Sequence, residues 1–182
     1  MSVERITLRF LMTGGHTAIR SHFETLLQPE DLDAWLSNEF GVEVSSRADL
    51  TDLESAHTVR ESTFNIIRAR SRSQKPVALD FERLNHHARP APMIPRFGSG
   101  GQRQWVSPAP VVAALSTVAR DAVDLLGSPD AERTRECENP NCELVFVDVS
   151  PPGQRRWCAM GRCGNRAKTR AYRQRERGAT SN

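Results

Sequence analysis

The chain has only four cysteines, and they stand as two matched pairs. Four residues lie between Cys137 and Cys142, four between Cys158 and Cys163, and fifteen separate the pairs. This is the donor set of a tetrahedral four-thiolate zinc site. Each pair reaches the ion from one turn, and a hairpin-length insert brings the turns together. Such a site is structural, because four thiolates saturate the ion and leave no position for water. One Zn2+ per chain is therefore expected. The competing chemistry is a pair of disulfides. No charged–apolar–small-residue leader opens the sequence, so the expected compartment is the reducing cytoplasm, where paired cysteines favour metal. All five histidines lie outside the cluster. His86-His87 does not read as a second site, because adjacent residues of a helix point to different faces.

A second pattern follows the last cysteine. From Gly164 the sequence reads as a helix to about Arg177. At ~100° per residue, Arg166, Arg170, Arg173 and Arg177 share a stripe about 60° wide. Ala167 and Ala171 fall beside the stripe and are expected to pack on the finger or the body, while Lys168 lies on another face. Like charges at i, i+4 and i+7 repel, so an unpartnered stripe costs helix stability. Phosphates would offset that repulsion and release counterions, and arginine suits bidentate phosphate or guanine contacts. Two blander readings stand beside this one. A zinc ion with four thiolates is a net dianion, which Arg155, Arg156 and Arg162 in particular could neutralise. Other arginines could bridge to the rest of the chain or to an acidic protein. Trp157, next to a zinc ligand, reads as finger core before it reads as a base-stacking platform.

The knuckles need elements to hold them. Leu144-Val145-Phe146-Val147 reads as a strand, Ser150-Pro151-Pro152-Gly153 as a turn, and Arg155-Arg156-Trp157 as the return strand. Knuckle, hairpin, knuckle, helix is a treble-clef-like order. So small a finger buries little apolar surface, and metal binding should supply much of its folding free energy.

Upstream, the alternating Val3–Phe10 reads as a short strand. Pro29-Glu30-Asp31 opens a helix through Leu32, Trp35, Leu36 and Phe40 that Gly41 closes. Ser46-Arg47-Ala48-Asp49 resembles a capping box ahead of a long helix to about Ser73, which Pro76 ends. A shorter helix covers Leu79 to Ala88. The Pro- and Gly-rich stretch from Arg89 to Pro110 reads as a flexible linker or, with Met93-Ile94 and Trp105-Val106 flanking its Gly-rich centre, as a hairpin, the preferred reading; Val111 to Leu126 is a helix. The expected fold class is mainly α: a helical N-terminal body with minor β (the N-terminal strand and a hairpin near 93–106), then the treble-clef-like four-cysteine zinc finger. The expected domains are 1–135 for the body, 136–178 for the finger with its basic helix, and 179–182 for a tail.

The 182 residues are 38% hydrophobic and carry a net charge of +3. That mild figure hides a split. Residues 151–182 hold nine basic side chains against the single Glu176, which leaves sixteen basic and twenty-one acidic residues in the first 150. An acidic body with a basic tail points to a polyanionic partner for the tail. No run approaches the ~18 apolar residues of a membrane span. Glu54, His57 and Glu61 share a helix face that could suit acid–base chemistry, but the spacing reads as a solvated face with i, i+4 pairs, and no enzyme is expected.

The run Arg155-Arg156-Trp157-Cys158-Ala159-Met160-Gly161-Arg162-Cys163-Gly164-Asn165-Arg166-Ala167-Lys168 resembles the CGNR zinc finger, whose tetrad stands here as Cys163-Gly164-Asn165-Arg166. Phe146-Val147-Asp148-Val149-Ser150 resembles the Phe-x-Asp-x-Ser segment upstream in that family. Pro29-Glu30-Asp31-Leu32, Trp35-Leu36 and Leu84-Asn85 resemble the ABATE domain, the N-terminal partner of this finger in bacterial stress-induced transcription regulators. Met12-Thr13 departs from the Asn-Thr pair usual there. The resemblance implies zinc binding and DNA binding in a regulator. Asn165 could read adenine or cap loop backbone. The expected partner is nucleic acid, duplex DNA, met through Arg166, Arg170, Arg173, Arg177, Lys168, Arg155, Arg156 and Arg162. A homodimer would supply the contacts that one short finger lacks. A protein–protein adaptor with an acidic partner and an RNA binder are the alternatives. The sequence leaves any small-molecule effector unidentified.

Overall fold

The computed structural model describes residues 5–179; of residues 175 and 177–179 it describes the backbone alone. Helix α1 spans Ile6–Leu11, α2 Pro29–Phe40, α3 Leu50–Ser71, α4 Ala78–Ala88 and α5 Val111–Gly127. A hairpin of β1 (Pro95–Phe97) and β2 (Arg103–Trp105) sits between α4 and α5. Strands β3 (Thr134–Glu136) and β4 (Val145–Val147) form a second antiparallel pair, and α6 (Asn165–Ala179) closes the chain.

The longer helices follow their local signals. Pro29 occupies the first turn of α2, and the Asp31 carboxylate accepts from the Gln28 and Leu27 amides at 3.0 and 2.9 Å. Gly41 ends α2 in the left-handed region at φ 64°, where a side chain would be strained. Leu32, Leu36 and Phe40 form its buried stripe, and Leu53, Ala56 and Val59 continue the core along α3. Small residues on α5 (Ala114, Ala119, Ala122) let it lie close to α3 and α4. Trp105 of the hairpin meets Phe40 edge-on at 5.8 Å between centroids, so the Gly-rich segment is anchored to the core rather than loose.

Three expectations are corrected. The N-terminal segment is helix α1, not a strand. Its buried residues Thr7, Phe10 and Leu11 have helical spacing, and Asp121 of α5 accepts from the Thr7 amide (2.9 Å) and hydroxyl (2.6 Å), so a distant carboxylate caps the helix. The capping box of α3 starts at Asp49, not Ser46. The Asp49 side chain accepts from the Asp52 amide and Asp52 returns the bond, while Ala48 donates to Asp33 of α2, which holds residues 46–49 outside the helix. The partner of β4 is β3, with Arg135 opposite Phe146, rather than Arg155–Trp157. Pro151 and Pro152 offer no ladder amides, and Asp148 gathers the Ser150 amide (2.9 Å), the Ser150 hydroxyl (2.6 Å) and the Arg155 amide (2.7 Å) into a closed loop.

The finger is docked on the body. Val145 is buried with Leu11, Phe64 and Ile67. Glu143, left-handed at φ 51°, accepts from Thr17 and from Arg68 (3.0 Å), and Glu136 pairs with Arg72 (3.1 Å). Beneath this seam, buried Arg60 holds Glu24 through two bonds of 2.8 and 2.6 Å. No helix among the described residues is long and apolar enough to cross a membrane.

Candidate metal centre and basic helix

The β3–β4 connection carries the first knuckle. The Cys137 amide donates to the Leu144 carbonyl at 2.8 Å, continuing the ladder. Asn139 then turns the chain, its side chain accepting from the Asn141 amide (3.2 Å) and its carbonyl from the Cys142 amide (2.9 Å). The second knuckle returns through one backbone bond, Glu138 amide to Arg156 carbonyl at 3.0 Å. Cys163 lies in a π turn over Met160–Gly164 that feeds directly into α6, with the Cys163 and Gly164 amides both donating to Ala159.

These turns bring all four sulfurs within 4.8 Å of one another, the one such cluster of metal-ligating side chains among the described residues. All four cysteines are free. The Cys142–Cys158 and Cys158–Cys163 sulfurs are 3.7 and 3.6 Å apart. A disulfide needs about 2.05 Å. A tetrahedron with Zn–S near 2.3 Å has edges of ~3.8 Å, so the donor set has the spacing a zinc ion requires. Cys137 and Cys163 are buried and Cys142 and Cys158 half-buried, with Phe146, Leu144 and Trp157 packed round the sulfurs. Trp157 is therefore finger core. Burial pushes the Cys142 and Cys158 thiols up. Burial also disfavours a charged Cys163, but hydrogen bonds from the thiols of Cys158, Cys142 and Cys137 outweigh it and hold that thiol below its ordinary value. Zinc is held by thiolates, so metal binding here would release thiol protons.

The basic residues divide into two groups. Arg155 is wrapped into the finger: its guanidinium donates to the Trp157 carbonyl (2.8 Å) and the Cys158 carbonyl and lies over Phe146. Arg156 pairs with Glu138 at 2.6 Å and faces the Trp157 ring. Arg162 is exposed, and the acceptor sulfurs of Cys158 and Cys163 raise its pKa. The second group is on α6. Arg162, Arg166, Arg170 and Arg173 line one open groove with Asn165 and Thr169. Arg166, Lys168, Arg170 and Arg173 are exposed, and none has an ion-pair partner among the described residues. The Arg177 side chain lies outside the described residues. Ala167 is half-buried but Ala171 is exposed, so α6 leaves the finger as a projecting arm whose main contact is the π turn before it. Asn165 donates to the Gly161 carbonyl at 3.1 Å, the loop-capping role.

Glu54, His57 and Glu61 form no joint site. His57 binds the Leu26 carbonyl at 3.0 Å, and Glu61 is engaged by His16 and Arg60. Sequence reasoning had no signal for Glu143 or Arg60, whose roles depend on partners far along the chain.

A helical body joined by a short β-pair to a four-cysteine finger, followed by an arginine-faced helix, is the architecture of a zinc-finger protein. Residues 133–176 match the CGNR zinc finger, and residues 4–129 match the ABATE family, described as "Putative stress-induced transcription regulator". The chain belongs to that ABATE family. Among curated proteins none matches the chain.

Proposed function

We propose that this protein is a transcription regulator in which one structural Zn2+, held by Cys137, Cys142, Cys158 and Cys163, fixes α6 as a nucleic-acid-binding arm for duplex DNA. The observation that carries the reading is the row of Arg166, Arg170 and Arg173 along one exposed face, without ion pairs among the described residues. An isolated helix of this length with i, i+4 like charges is marginal in water, and a phosphate backbone supplies the missing counter-charge. Arg155 and Arg156 support the finger rather than extend this surface. One arm reaches few bases, so a specific site calls for two copies on two half-sites.

The test is titration of a labelled duplex with zinc-loaded protein at low salt, with duplex DNA, duplex RNA, single strands and polyglutamate as competitors. Displacement by duplex DNA alone supports the reading. Equal displacement by duplex RNA makes the protein an RNA binder, and no binding to any nucleic acid leaves the adaptor.

A further inference from the structure

A cavity of about 360 Å³ lies at the seam between body and finger. Leu11, Met12, Phe23 and Leu144 line it, with Arg20, Arg162, Arg166 and the Glu143 carboxylate among its polar walls. Its size falls in the range of small-molecule sites. Met12 and Phe23 are each more than half exposed, which leaves apolar surface at the cavity open to a ligand.

Arg20 gives the cavity its chemical character. The residue is only 4% exposed, yet no carboxylate pairs with it directly. Its Nη2 donates to the Leu11 carbonyl at 2.8 Å and to the Gly14 carbonyl, and its ring neighbour is Phe64. Nη1 and Nε donate to no described residue. Burial lowers its pKa to about 10; Glu61, Glu143 and Glu24 oppose that only in part, and Arg60 adds to it. These acids are already engaged, Glu61 by His16 and Arg60, Glu24 by Arg60, and Glu143 by Thr17 and Arg68. A buried guanidinium without an anionic partner is costly, and an anion bound in the cavity would remove that cost.

We propose that this seam cavity is a binding site for a small amphipathic carboxylate, its charged end at Arg20 and its apolar body against Met12, Phe23 and Leu144. Arg162 and Arg166 line the same cavity and add donors to Arg20. Arg166 also lines the α6 groove, so a carboxylate that engages it withdraws one cation from that face. This last consequence rests on the nucleic-acid reading of α6; the site itself does not.

The experiment therefore contains no nucleic acid. The zinc-loaded full chain is titrated with 4-phenylbutyrate, and with 4-phenylbutyramide as the neutral counterpart, while backbone amide shifts are followed. The carboxylate should shift amides in 11–24 and 141–144 and saturate, with the amide binding at least tenfold more weakly. Met12→Glu changes an exposed position and leaves the fold intact. Its introduced carboxylate competes for Arg20 and should weaken phenylbutyrate at least tenfold. Absence of saturable shifts at the seam, equal binding of the neutral amide, or unchanged affinity in Met12→Glu would each overturn the proposal.

Discussion

Replacing Arg170 and Arg173 together by Ala removes two of the four guanidiniums that line the α6 groove. Both side chains are exposed and without ion pairs among the described residues, so the fold should survive with an unchanged melting temperature. Each phosphate neutralised on B-DNA contributes about −0.9 to the slope of log affinity against log salt. Four contacts give a slope of about −3.6 and two give about −1.8. Between 50 and 200 mM salt the native chain should lose roughly 150-fold in affinity, and the double variant roughly 12-fold. Fluorescence anisotropy on one duplex across that salt range reads the slope directly. A folded variant that keeps the native slope would refute phosphate contact by α6.

Other substitutions probe the supports of the site. Asp148→Ala strips the loop between the knuckles of its common acceptor, and Arg155, which braces the Cys158 carbonyl, loses its anchor; zinc retention in a chelator competition should fall roughly tenfold. Glu143→Ala releases the first knuckle from Thr17 and Arg68, and hydrogen exchange should accelerate across 139–145 while α2 and α5 stay protected. Arg60→Ala leaves Glu24 without its buried partner and should cost about 3–5 kcal/mol, read as a fall in melting temperature on the order of 10 °C. Burial pushes the Glu24 carboxyl up, but the Arg60 and Leu26 bonds outweigh it and hold the carboxyl below its usual range. Its stabilisation is therefore present above pH ~4.3 and is lost as pH falls through the folded value. Glu24→Gln should be less stable than the native chain at pH 7, and the gap should narrow below about pH 4.

The sequence was most readable where a signal and its partner lie within one turn. Pro29 and Asp31 open α2 and Gly41 ends it, all inside the segment they delimit. The cysteine pairs declare their chemistry by spacing, and the structure adds that their sulfurs converge. Helix α1 was illegible because its N-terminal donors are met by Asp121, more than a hundred residues away. Strand β3 was missed because Thr134-Arg135-Glu136 shows no apolar alternation; its pairing is through backbone, and Thr134 is the residue it buries. The stripe on α6 was visible as rotation on a helix. That Ala171 faces solvent was not, because whether a helix end docks or projects is decided by the shape of the finger before it. The Phe-x-Asp-x-Ser segment is legible as a pattern, but the role of Asp148 as a loop-closing acceptor depends on the fold of the loop round it.

The central claim is that four sulfurs share one zinc ion and thereby aim α6. Native mass spectrometry combined with thiol alkylation tests it in one sample. The account predicts one zinc per chain and four thiols that resist alkylation until a chelator is added, whereupon all four react. A metal-free chain with four freely reactive thiols, or a mass about 4 Da low from two disulfides, would contradict it.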